Sequence, residues 1–226
     1  MRYTTIFLDA DDTLFDFKKA EEHALSSAFH TFHLPYAPQI LLTFSKINQA
    51  LWQKFEAGSV TRADLQRQRF SDLFEQFNIT GIDPQAFHEC YLEGLADSTF
   101  LLDGAVELCR TLSKTCSLYI VTNGTIMAQT KRLASSEIHP YIKEMYISEA
   151  IGYQKPQKEF FDYVLSHIPP VDRRDCILLG DSLTSDIKGG QNAGIDTCYV
   201  SPTPSPEAGY TYHITALLDF IPIVMG

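Results

Sequence analysis

The chain has 226 residues, 45% of them apolar, which is enough for one large domain or a core domain with a smaller insertion and excludes a disordered chain. Lys and Arg total 18 against 28 Asp and Glu, a net charge of −10 with no basic run, which argues against a nucleic-acid polymer or an anionic membrane as partner. An anionic substrate would have to be recruited locally, by a divalent cation beside one or two well-placed Lys or Arg.

The opening Met1-Arg2-Tyr3-Thr4-Thr5 runs straight into Ile6-Phe7-Leu8-Asp9, too short and too acidic for a signal peptide, so a reducing cytoplasm is the expected location. The five cysteines (Cys90, Cys109, Cys116, Cys176, Cys198) form no C-x-x-C pair and read as small buried hydrophobes. Short apolar runs at Thr5–Leu8, Ser117–Val121, Met145–Ile147, Cys176–Leu179 and Thr197–Val200 alternate with helical spacing, which predicts an α/β fold with a parallel sheet. The alternation fails from 16 to 97, where amphipathic patterns succeed one another. Pro35 and Pro38 break one helix before the stripe Ile40, Phe44, Ile47, Leu51, Phe55, and Gly58-Ser59 ends the next. Thr61 with Asp64 reads as a capping pair opening a third helix, and Asp83-Pro84 as the start of a fourth. This predicts a four-helix bundle over 16–97, inserted into a core made of 1–15 and 98–226.

Four peptides come directly after predicted strands, where open α/β sheets bind ligands. Asp9-Ala10-Asp11-Asp12-Thr13 places three carboxylates after the first strand. Thr122-Asn123-Gly124 offers a hydroxyl and a turn of N–H groups for phosphate oxygens. In Gln154-Lys155-Pro156, Pro156 is expected to start a helix, and Gly180-Asp181 with Ser185-Asp186 ends a further buried strand in acids. Each peptide has an ordinary reading as turn, cap or solvated surface, and their order and placement argue otherwise.

In order, the four peptides resemble the motifs of the haloacid dehalogenase superfamily. The resemblance implies a doubly wound, Rossmann-like core with a helical cap inserted after the first strand. It further implies Asp9 as nucleophile, Asp11 as general acid/base, Thr122, Asn123 and Lys155 as phosphate holders, and a Mg²⁺ site from Asp9, Asp11, Asp181 and Asp186. The contribution of Asp11 to that site is expected from its backbone carbonyl. An acid at position 11 argues for phosphoryl transfer over carbon–halogen cleavage, because a departing halide needs no proton. With Leu51-Trp52 and the segment from Gly58 to Arg69-Phe70, the sequence is also similar to bacterial pyrimidine 5′-nucleotidases, a house-cleaning nucleoside monophosphatase group. That resemblance implies a small phosphate ester, a nucleoside monophosphate, as substrate, with Asn48, Trp52 and Arg69 as candidate contacts from the cap. Core packing competes for Trp52. A sugar-phosphate or phosphoglycolate phosphatase is the nearest alternative, and a phosphomutase, a dehalogenase and a non-catalytic interaction module stand behind it. His30 and His33, three apart on a predicted helix, lack a third ligand and read as solvated or packing residues, and Lys131-Arg132 reads as a solvated basic pair.

Overall fold

The computed structural model describes residues 2–226. Six strands, β1 (Thr5–Leu8), β2 (Ser117–Thr122), β3 (Glu144–Ile147), β4 (Cys176–Gly180), β5 (Asp196–Val200) and β6 (Tyr212–Ile214), form one parallel sheet in the order β3-β2-β1-β4-β5-β6. All five expected strands are present. The sixth is new, because three residues, Tyr212–Ile214, carry too little alternation to be read beside the Pro-rich stretch 201–206 that precedes them.

The strand runs are continuously apolar because both faces are covered. Ile6, Leu8, Leu118, Ile120, Ile177 and Leu179 are buried on one face with α5 (Ala105–Leu112), while Phe7, Val121 and Leu178 are buried on the other with α8 (Lys158–His167). The remaining helices of the sheet layer are α6 (Ile126–Ala134), α7 (Ser148–Ile151), α9 (Lys188–Ala193) and α10 (Phe220–Met225). The chain runs outward from β1 to β3 and then crosses back to β4, so the strand order reverses beside β1. That reversal opens a crevice at the carboxyl ends of β1 and β4.

Between β1 and β2 stand four consecutive helices: α1 (Phe17–Thr31), α2 (Pro38–Glu56), α3 (Arg62–Gln76) and α4 (Pro84–Asp97). Thr61 caps α3 in a reciprocal box with Asp64, and the Asp83 carboxylate accepts from the Gln85 and Ala86 N–H groups ahead of α4. The helices share their own core, in which Phe44 stacks on Phe70 at 5.0 Å and Phe70, Phe74 and Phe87 pack in turn. Small residues let α1 and α4 touch, since a Cβ on Gly94 would lie 2.8 Å from the Ala24 Cα. The two chain crossings between this layer and the sheet pair with each other: Asp16 N–H donates to Phe100 O at 3.0 Å, and Leu102 N–H to Leu14 O at 2.9 Å.

Two local expectations are corrected. Helix α8 begins at Lys158 with Gln157 as its cap, so Pro156 lies in the turn before the helix and does not start it. Helix α1 ends at Thr31 and His33 has φ 54°, so His30 and His33 do not share a helix. Among the described residues no helix is long and apolar enough to cross a membrane.

Candidate active site

The first acid of the site is set by the sheet itself. Asp9 directly follows β1, and its N–H donates to Leu179 O at 2.9 Å, extending the β1–β4 ladder one step and fixing the carboxylate over the crevice. Asp181 directly follows β4, where Thr13 Oγ1 donates to it at 3.2 Å. Asp186 sits on a π-helical turn, Leu183–Ile187, and accepts from the Ser182 N–H at 3.1 Å. Gly180 makes room for it: a Cβ there would stand 2.3 Å from the Asp186 Cγ.

Lys155 is only 1% exposed, contrary to what a lysine in a loop suggests. The Asn123 side chain explains this, accepting from the Lys155 N–H and donating to the Lys155 carbonyl, both at 2.9 Å. This clamp draws the loop onto the end of β2. The ammonium then donates to Asp9 Oδ1 at 2.5 Å, Asp186 Oδ1 at 2.7 Å and Val121 O at 2.8 Å. The Asn123 amide is thus engaged on both sides by the Lys155 backbone. Thr122 is buried, its hydroxyl accepting from the Gly124 N–H at 3.0 Å.

One oxygen each from Asp9, Asp181 and Asp186 lies within 4.8 Å of the others. Two buried carboxylates, Asp9 and Asp186, thus pair with one ammonium, and the half-buried Asp181 adds a third negative charge beside them. Burial, opposed by Lys155 and reinforced by Asp186, raises the Asp9 carboxyl from its ordinary 3.8 to about 8. Burial and the neighbouring Asp9 and Asp186 push Asp181 well above its usual range, while the same two aspartates hold Lys155 charged despite its burial. An all-oxygen donor set with unbalanced negative charge suits a hard divalent cation such as Mg²⁺. The Asp11 side chain stands apart from this cluster, its carboxylate turned to Gln129 and Arg132 of α6.

The cluster opens into a cleft of about 590 Å³ walled on one side by the strand ends and on the other by α1 and α2. Asn48 and Trp52 both line it. The Asn48 amide is engaged on both sides, donating to Glu21 Oε1 at 2.9 Å and accepting from Arg69 Nη1 at 3.3 Å. Arg69 lies behind that wall, 3% exposed and 2.9 Å from His88 Nδ1, and borders a smaller cavity of about 40 Å³. The structure thus separates the three: Trp52 and Asn48 face the cleft, and Arg69 supports Asn48 from within the helices.

Three contacting residues escape a reading of the sequence. Arg62, at the start of α3, donates to the Asn123 carbonyl at 3.0 Å and to Ser148 Oγ at 2.8 Å, bringing the helical layer onto the Thr122–Gly124 turn. Gln129 and Arg132 are the others, and the reading of Arg132 as solvated is corrected, since it is 1% exposed. The sequence does carry a signal for these two: Thr125, Ala128, Gln129 and Arg132 share one helical face directly after the second motif.

The chain matches the haloacid dehalogenase-like hydrolase family over residues 3–194. It is 39% identical to the HAD-hydrolase YfnB of Bacillus subtilis over 226 residues, covering 99% of this chain and 96% of that protein. A crystal structure of YfnB, described as bound to magnesium and revealing interdomain movement, superposes with a TM-score of 0.93 over 99% of each chain. The Escherichia coli pyrimidine 5′-nucleotidase YjjG is 32% identical, with 89% of this chain and 87% of that protein covered. The Streptococcus pneumoniae pyrimidine 5′-nucleotidase PynA is 33% identical, with 98% and 94% covered. Motif order, sheet topology and full-length similarity agree that this chain belongs to the haloacid dehalogenase-like hydrolase family.

Proposed function

We propose that the protein is a Mg²⁺-dependent phosphate monoester hydrolase acting on nucleoside 5′-monophosphates, with the helical layer serving as its cap. The observation that carries this reading is the convergence of Asp9, Lys155, Asp181 and Asp186 on one buried point at the mouth of the cleft. Asp9, Asp181 and Asp186, with the Asp11 carbonyl, would hold the ion, which would supply positive charge against the phosphoryl oxygens.

Asp9 attacks phosphorus, the ester P–O bond breaks, and the leaving alkoxide takes a proton from Asp11, which enters this step as the protonated acid. Lys155, Thr122 and the backbone of the adjoining turn hold the phosphoryl oxygens. Water then attacks the aspartyl-phosphate, giving its proton to Asp11, and the P–O bond to Asp9 breaks to release inorganic phosphate. One carboxyl thus serves both half-reactions.

The nucleotide preference is supported by two pyrimidine 5′-nucleotidases among the relatives and by a cleft that the Trp52 ring lines. Phosphate release from a panel of esters, with and without Mg²⁺, tests the reading. Pyrimidine nucleoside monophosphates are expected to lead, with no turnover in chelator; preference for a sugar phosphate or phosphoglycolate would move the assignment to those substrates. Asp9→Asn should abolish turnover, and Asp11→Asn should lower it by roughly 10²–10⁴-fold while keeping Mg²⁺ binding. Trp52→Ala should raise KM for nucleotides more than for a small generic ester, and equal changes would remove Trp52 from base recognition.

A further inference from the structure

Gln129 and Arg132 lie one turn apart on α6, and both reach back to Asp11. Arg132 Nη1 is 2.5 Å from Asp11 Oδ1, and Gln129 Nε2 donates to Asp11 Oδ2 at 2.6 Å. Both oxygens of the carboxylate are therefore held from one helix face, at the wall of the cleft. Gly124 permits this, because a Cβ there would stand 2.3 Å from the Gln129 Nε2.

Arg132 makes two further contacts. Its Nε donates to Ser98 O at 3.1 Å, and its guanidinium lies 4.4 Å over the Phe15 ring. Ser98 and Phe15 belong to the two segments through which the chain passes between the sheet and the helical layer. Desolvating a guanidinium is unfavourable, and a methionine of similar length would fill the same space without that cost. What a methionine would lack is the grip on a carboxylate.

We infer that Arg132, assisted by Gln129, is a positioning residue for Asp11: it fixes the carboxylate at the cleft wall and ties its position to both crossings of the helical layer. This rests on the role of Asp11 as proton donor and acceptor. Phenyl phosphate, a generic ester with a poor leaving group, serves as probe with Mg²⁺ present, and Arg132→Met, Arg132→Lys and Gln129→Leu are made in the wild-type and Asp11→Asn backgrounds. Arg132→Met is expected to lower kcat by about tenfold or more with KM within about twofold, and Arg132→Lys to recover part of the loss. In the Asp11→Asn background the same change should alter kcat by less than about twofold, because the group it positions is already gone. An equal loss in both backgrounds, or full activity of Arg132→Met, overturns the inference. Should Arg132→Met not fold, Gln129→Leu carries the same comparison on the other carboxylate oxygen without a buried charge. Failure of the underlying reading shows separately, as a fully active Asp11→Asn protein.

Discussion

Asp9 owes its chemical character to its surroundings. With its carboxyl raised from 3.8 to about 8 by burial, the folded protein binds that proton more tightly than the unfolded chain does. The stabilising contribution is therefore complete below about pH 4 and is lost as pH rises toward about 8. Metal-free protein should accordingly melt at lower temperature across that range, and saturating Mg²⁺ should reduce the loss, which thermal scans at several pH values with and without Mg²⁺ would show. A flat metal-free profile would mean that Asp9 ionises freely despite its burial. Gly180 offers a second test, since the 2.3 Å approach to the Asp186 Cγ leaves no space for a methyl group. Gly180→Ala should weaken Mg²⁺ binding measured by calorimetry, and unchanged affinity would show that Asp186 is not needed at the ion.

At the scale of elements, the capping signals are legible because they are local. Thr61 and Asp64 stand three residues apart in the sequence and close a reciprocal box in the structure. Thr61→Ala should therefore cost about 1 kcal/mol, read as a lowered thermal midpoint, and a neutral result would make the box dispensable. Which side of a helix faces the site is less legible. Lys131 and Arg132 are adjacent and chemically alike, yet Lys131 is exposed and pairs with Asp97 while Arg132 is buried against Asp11. Composition cannot separate two such neighbours, whereas the helical period relative to Thr125 and Ala128 does. The burial of Lys155 likewise depends on the Asn123 clamp, a contact between residues 32 apart that no local pattern announces.

The molecule as a whole assembles its candidate site from strand ends that are distant in sequence and adjacent in the sheet. The positions of those strands can be read from apolar runs, and the doubly wound order stems from their alternation with helices. The short edge strand β6 and the contact of Arg62 with the Asn123 turn cannot, since each depends on tertiary packing. The helical layer closes one side of the cleft and the sheet supplies the other, so under the proposed function substrate choice and phosphoryl chemistry would fall to different parts of the chain.

The most direct measurement is to quench the protein in acid during turnover of a phosphate ester with Mg²⁺ and locate the phosphoryl group by peptide mass spectrometry. A phosphorylated Asp9 that disappears as substrate is exhausted and is absent from Asp9→Asn is the expected result. Turnover with no phosphoryl group at Asp9, or a fully active Asp9→Asn protein, would contradict it.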